Sequence, residues 1–337
     1  MGTRYISDQN KVVMIYESGT YAAVSGTGKW LGEVTENMID DAENYIEDRF
    51  LGDNSRSAGR YERGPNDVTG TVSYHPVDMN LIAHAIGSVY ETSGGAFHIA
   101  SEIGTSVNQN PFTSGTGQDL NTPYSFTLED SKQAAGTGQN FIRTVNGCVV
   151  NGITLTASQG EKVTVDVDWI GQGLTFSSGT TTSVTVAAQR PYLWSDCALT
   201  LAGSSIGTAK DVSIAINQNI EGPHYLNGSR SIGQPFFGNR EYELNVNADL
   251  ETGFAKMLYS QYYKGGSELN YIFDMNADVT AAGSQHTIIT VSGGRITSID
   301  LPSTDDGVNE TTFVISAGSM TLQDWTNVAK IGSYNPF

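Results

Sequence analysis

Residues 51–64, LGDNSRSAGRYERG, place Arg56, Arg60 and Arg63 among glycines in a chain with 36 acidic and 18 basic residues. Guanidinium groups on a Gly-rich loop can cradle phosphate, because Arg donates in a fork and Gly lets backbone N–H groups approach. A second stretch, LNGSRSIGQPFFG at 226–238, keeps Ser-Arg-Ser and both glycines but carries Gln234 and Phe237 where the first has Arg60 and Arg63. A phosphate site would keep its charge in both copies. The shared pattern therefore points to a shared loop shape with one anchoring cation each, Arg56 and Arg230. SGTGKW (25–30) misses the phosphate-loop pattern, since Ala23 stands where its first Gly should be and Trp30 follows Lys29. It reads as a tight turn.

Other candidates for chemistry are weak. His75, His84, His98, His224 and His286 show no metal-ligand spacing, and there is no Gly-x-Ser-x-Gly elbow. Asp166 and Asp168 share one strand face and could imitate a carboxylate pair, but read as solvated or partner-facing acids. STDDGVNE (303–310) offers Asp305, Asp306, Asn309 and Glu310 as calcium oxygens without the EF-hand spacing, and reads as an acidic hairpin turn. Cys148 and Cys197 read as free thiols in strands. No cofactor and no enzymatic activity are expected.

The elements that would carry these residues are mostly strands. DVTGTVSY (67–74), EKVTVDVDWI (161–170), DVSIAINQN (211–219) and REYELNVNADL (240–250) alternate apolar and polar residues, the period of half-buried strands. Two stretches have helical spacing, 76–90 with Pro76 in its first turn and 250–263 with Asp249 as its N-cap. Each follows a strand. That parallel exposes a repeat: an offset of 174 aligns 46–74 with 220–248, matching Ile46/Ile220, Glu47/Glu221, Ser55/Ser229, Arg56/Arg230, Ser57/Ser231, Gly59/Gly233, Gly64/Gly238 and Val72/Val246. A fainter echo relates 151–169 to 298–316. The expected organisation is two tandem modules, 1–175 and 176–337, with a linker near 172–183 and a polar insertion at 104–123. The fold class is mainly β: two β-sandwich or barrel modules, each with one flanking α-helix.

A formal charge of −18 disfavours specific nucleic-acid binding, which needs clustered Lys and Arg to release counterions. The densest acidic run, 33–48, could instead line a surface past which DNA travels without sticking. The N-terminus lacks a signal-peptide core, and no apolar run reaches the length of a membrane span, so no membrane partner is expected. Sequons at Asn227 and Asn309 carry little weight.

Three features together resemble the tail tube (major tail) proteins of long-tailed, siphovirus-like viruses. They are the β-rich segment with its helix, GPNDVTGTVSYHPVDMNLIAHAIGS (64–88); the long loop before it, 47–66; and the strand pair NGCVVNGITLTASQGEKVTVDVDWIG (146–171). The resemblance implies β-sandwich modules, six to a ring, whose inner strands join into a barrel around a DNA channel. Long loops would reach the next ring. Two modules per chain then imply a homotrimer ring with pseudo-sixfold symmetry, stacked helically into a tube in the virion and assembled in the host cytoplasm. Partners would be further copies of the chain, the tape measure and terminator proteins, and DNA passing without specific binding. On this reading Ser55, Arg56, Ser57, Gly59, Gly64, Ser229, Arg230, Ser231, Gly233 and Gly238 are inter-ring loop anchors, with the glycines setting hairpin bends. Glu36, Asp40 and Glu43 are candidate lumen acids, and the offset puts Lys210, Ile214 and Asn217 at their places in the second module.

Two other readings compete. A carbohydrate-binding, surface-layer or receptor-binding β-sandwich could use Trp30, Trp169, Trp194 and Trp325 as stacking platforms. A glycan-active enzyme would need a carboxylate pair that the sequence does not single out.

Overall fold

The computed structural model describes residues 10–17, 21–22, 24–48, 60–77, 79–86, 88–91, 98–101, 125–133, 140–184, 186, 189–236, 238–251, 256, 258–260, 262, 268–277, 285–301 and 309–324. The chain is mainly β. In order, its strands are β1 (Lys11–Glu17), β2 (Val24–Lys29), β3 (Gly32–Asp48), β4 (Arg60–Pro76), β5 (Ser88–Glu91), β6 (His98–Ser101), β7 (Ser125–Gln133), β8 (Asn140–Ser158), β9 (Thr164–Gly171) and β10 (Gly173–Ser177). They continue as β11 (Cys197–Leu201), β12 (Ser204–Ser205), β13 (Ala209–Asn217), β14 (Glu241–Asp249), β15 (Leu269–Asn276), β16 (His286–Asp300), β17 (Glu310–Ala317) and β18 (Ser319–Asp324). One helix, α1 (Asn80–Ile86), lies between β4 and β5.

Eight strands form one antiparallel sheet in the order β3-β4-β9-β8-β13-β14-β17-β16. Its alternating sequences bury one face. Val72, Val167, Ile153, Ile214, Leu244 and Ile315 lie on that side, each at most 3% exposed. Burying a side chain of this size stabilises by about 1.5–3 kcal/mol, so the alternation fixes which face turns inward. A second layer packs on this core. It contains β2-β1-β7 with the first half of β8 and β10, and, further along, β12-β11-β15 with the first half of β16 and β18.

β8 and β16 each serve both layers. β8 pairs with β7 and β10 through its first half and with β9 and β13 through its second. β16 pairs with β15 and β18, then with β17. Both strands cross between layers at a glycine with positive φ, Gly147 (φ 63) and Gly293 (φ 70), which a side chain would strain.

The neighbours repeat down to their irregularities. The β3–β4 register shifts between Val34 and Glu36, and the β13–β14 register between Ala209 and Asp211. The β7–β8 shift at Phe126/Leu128 has its match in β15–β16 at Leu269/Tyr271, and the β8–β9 shift at Val150/Gly152 in β16–β17 at Ile296/Ser298.

Several expected elements differ in detail. The helix expected over 76–90 is α1 alone: Pro76 closes β4, and β5 begins at Ser88, where Val89 and Tyr90 favour an extended chain. In the second expected helix, Lys256, Leu258, Tyr259, Ser260 and Tyr262 are helical, and the rest lies outside the described residues. The loop expected over 47–66 is shorter, because β3 runs to Asp48 and β4 starts at Arg60. The division expected at 175/176 falls inside β10, which stays paired to β8 from Gly173 to Ser177. Residues 104–123 lie outside the described residues.

Candidate functional site

The solvent side of the eight-stranded sheet is polar and acidic. Cross-strand register puts Glu36 opposite Ser73, Ser73 opposite Asp166, and Asp166 opposite Thr154. Further along, Thr154 faces Ala215, Ala215 faces Glu243, and Glu243 faces Ser316. Asp40, Asp168, Asp211 and Glu241 occupy the same side by the same pairings. Asp166 accepts a hydrogen bond from Ser73 Oγ at 2.5 Å. Among the described residues, Arg295 is a basic side chain at a register position on this face, 3.5 Å from Glu268, and Lys162 pairs with Glu33 near its end. Lys210, in the β13 bulge, is held between Asp249 at 2.7 Å and Glu310. These carboxylates hold the Lys210 ammonium above its ordinary range, Asp249 first and Glu310 second.

The bulge changes the correspondence expected from an offset of 174. Val34/Glu36 and Ala209/Asp211 are the equivalent irregularities. Glu36 therefore corresponds to Asp211, not Lys210, and Asp40 to Ala215, not Ile214. An acid on the outer face of the first half meets an acid in the second.

Glu43 belongs elsewhere. Its register partner is Asn66, one step out of phase with Asp40/Thr69, so it projects from the opposite side of β3. There the Arg230 guanidinium reaches it at 2.9 Å, Tyr45 Oη donates to it at 2.9 Å, and Arg63 stands 3.6 Å away. Arg230 first, then Tyr45, hold the Glu43 carboxyl below the usual carboxylate range.

Beyond the last β9 partner at Val68, β3 and β4 continue as a two-stranded ribbon from Glu43/Asn66 to Asp48/Arg60. It exposes Tyr45, Ile46 and Tyr61, each more than half accessible. The stretch 226–238 folds against the base of this ribbon. Asn66 N donates to Arg230 O at 2.9 Å, Asn66 bridges Ser231, and His224 lies 2.9 Å from Asp67. Ser229 holds the turn through its Oγ, which accepts from Ser231 N at 3.2 Å. Ser55, Arg56, Ser57 and Gly59 lie outside the described residues.

Gly64, Gly233 and Gly238 do not set hairpin bends, for which they were expected; in the second stretch Gly228, at φ 78, lies in the bend. Gly64 sits within β4. A Cβ on Gly64 would come 2.9 Å from Asn44 O, and one on Gly238 2.2 Å from Asn219 O, so both permit close backbone approach. Gly233 packs under the Tyr225 ring.

Other sequence candidates take ordinary places. His84 is buried edge-on against Phe126, and His75 Nδ1 meets Val163 O at 3.0 Å. Trp169 is buried, Trp194 exposed and Trp30 half-buried; Trp325 lies outside the described residues. Of the calcium candidates, Asn309 O accepts from Leu250 N, Glu310 pairs with Lys210, and Asp305 and Asp306 lie outside the described residues. No group of three or more possible metal ligands occurs among the described residues, nor does any described helix have the length and apolarity to cross a membrane.

Sequence reasoning missed Glu17. It is buried, and its carboxylate accepts from Ser125 Oγ (2.6 Å), Thr127 Oγ1 (2.7 Å), Gly147 N (2.7 Å) and Ala22 N (2.8 Å). It secures the point where β8 changes layers. The signal for it was an acid closing the otherwise apolar run VVMIYE.

Fold and surfaces together define a β-sheet structural protein with an acidic sheet face, a projecting ribbon and, among the described residues, two open sheet edges. The phage tail tube protein family matches residues 8–318, and the chain belongs to that family. No curated protein matches the chain at a significant level. Family membership makes it a structural component of a phage tail, a tube built from copies of itself alongside other tail proteins.

Proposed function

We propose that the chain is a duplicated tube subunit of a long-tailed phage, three copies of which close a pseudo-sixfold ring. Rings stack into the tube that conducts DNA to the host cell. The observation that carries this reading is the repeated strand pairing, with the same three register shifts and the same positive-φ glycine in each half. Independent halves would not share irregularities at corresponding places. The division falls after β10, with the first module ending at Ser177 and the second beginning before β11.

The acidic sheet face lines the lumen. Three chains of eight strands give twenty-four. At a spacing of about 4.8 Å and a tilt of about 40°, these close a barrel roughly 48 Å across between backbones. Phosphates passing a wall of Glu36, Asp166, Asp168, Asp211 and Glu243 meet few cations, and Arg295 and Lys210 already lie against carboxylates, so the duplex slides. Closure also removes sheet edges that would otherwise template aggregation. The β3–β4 ribbon makes the inter-ring contact, and Ser55, Arg56, Ser57 and Gly59, between its two strands in the sequence, are further anchors of that contact. Ser229–Gly238 brace its base, and Arg230 is the anchor. Tape measure and terminator proteins are the expected partners at the axis and the end of the tube.

Electron microscopy of the purified protein tests this. Rings of three 36.1 kDa chains, or tubes built from them, are expected; a lone chain at all concentrations would remove the reading. In the virion, Asp166→Lys with Asp168→Lys adds cations to the lumen wall and should slow DNA release, more so at low salt. Unchanged ejection kinetics would remove the lumen assignment while leaving the ring.

A further inference from the structure

The eight-stranded sheet ends on two open edges. Among the described residues, β3 has β4 as its sole strand partner, and residues 295–300 of β16 are paired on the β17 side. The sheet also contains an internal seam, β8 against β13, where the two halves of the chain meet. β8 has the place of β16 in its half, and β13 has the place of β3. The seam is therefore a template for how an open β16 edge meets an open β3 edge.

Resting on the ring reading above, we infer that the second half of β16 pairs antiparallel with β3 of a second copy of this chain, in the register of the β8–β13 seam. The correspondence is set by the shared register shifts. Val150/Gly152 matches Ile296/Ser298, an offset of 146, and Ala209/Asp211 matches Val34/Glu36, an offset of 175. Carried across, Gly152↔Asn217 becomes Ser298↔Ala42, Thr154↔Ala215 becomes Asp300↔Asp40, and Leu155↔Ile214 becomes Leu301↔Ile39.

Side chains support this register independently. In the seam, Leu155 and Ile214 are each 2% exposed. Their counterparts Leu301 and Ile39 have the same types but are left incompletely covered, Leu301 at 38% exposure and Ile39 half-buried. A one-residue slip would turn that apolar pair to the lumen and the carboxylates of Asp40 and Asp300 to the core, so the register is specified. The occupant is a second copy, because the seam shows this chain's own β13 surface fitting its own β8 surface. Asp40 and Asp300 then face each other across the joint on the lumen side, adding to its negative wall.

Cysteine cross-linking of assembled rings tests the register. Directly opposed residues have Cα atoms about 4.5–5.5 Å apart, within disulfide reach, whereas six residues of slip separates them by roughly 20 Å. Ser298→Cys with Ala42→Cys, and separately Asp300→Cys with Asp40→Cys, are oxidised mildly after rings are seen by microscopy. Covalent dimers and closed trimers are expected from both pairs. Ser298→Cys with Glu36→Cys, and each single variant, should give at least tenfold less. Rings in which neither pair links above the Ser298/Glu36 control would overturn the register while leaving the ring reading intact. A ladder running past trimer would keep the edge pairing and change the ring count. Failure of the unsubstituted chain to form rings would remove both.

Discussion

Glu17→Gln keeps the size of a buried side chain and removes its charge, which isolates what the carboxylate does. Oε1 accepts from Thr127 Oγ1 and Gly147 N, and Oε2 from Ser125 Oγ and Ala22 N. A glutamine oxygen can serve one of these pairs. Its NH₂ group must face the other, where the hydroxyl can turn and accept but the backbone N–H cannot. One buried N–H is then orphaned, at a cost of about 1–3 kcal/mol. The remaining bonds lose their charge assistance, roughly another 1–2 kcal/mol in all. The expected destabilisation is therefore about 2–5 kcal/mol. The site is sensitive for two backbone reasons. Ala22 is held at φ 62, unusual for a residue with a Cβ, and Gly147 is the crossing point of β8. Urea unfolding of the isolated subunit, followed by tryptophan fluorescence, would give a lower midpoint at an unchanged slope. A loss below about 1 kcal/mol would show that Glu17 does not satisfy these donors, and would refute the account of how β8 is pinned.

Two further outcomes follow from the same structure. Gly147→Ala should destabilise more than Gly293→Ala. Both need positive φ, but a Cβ on Gly147 would lie 2.9 Å from Tyr21 and Gln172 atoms, whereas on Gly293 its nearest neighbour is 3.7 Å away; equal melting temperatures would count against this. Burial pushes the Cys197 thiol up to about 12 and raises Cys148 and the Tyr21 and Tyr271 hydroxyls well above their ordinary ranges. The folded state then holds protons that the unfolded chain releases, so these groups' stabilising contribution is full below the unfolded thiol range and falls as pH rises from about 8.5 toward 12. Urea midpoints measured from pH 7 to 11 should decline, with thiol labelling of Cys148 appearing only on unfolding; a flat profile would refute the burial argument.

The competing carbohydrate reading leaned on four tryptophans. The structure puts Trp169 inside the core, 1% exposed, and Trp194 at the surface in a short turn, so the described rings build no shared platform.

Period-two alternation in 67–74, 161–170, 211–219 and 240–250 was enough to fix strands and their inward faces, because the cost of exposing valines and isoleucines decides the face locally. The recurrence of Ser-Arg-Ser and two glycines at an offset of 174 was enough to suggest two halves. Charge composition alone argued against a basic nucleic-acid site. What the sequence could not hold was register between distant strands. A single bulged residue at Val34/Glu36 moves the counterpart of Glu36 from Lys210 to Asp211 and turns an apparent charge mismatch into an acidic match. Parity along β3 takes Glu43 away from Glu36 and Asp40, and long-range folding brings Arg230 to it from 187 positions along the chain. The four donors around Glu17 come from two separate strands and a turn. Local periodicity records which side of a strand is apolar. Which strand lies beside it, and at what register, is settled only when the whole sheet packs.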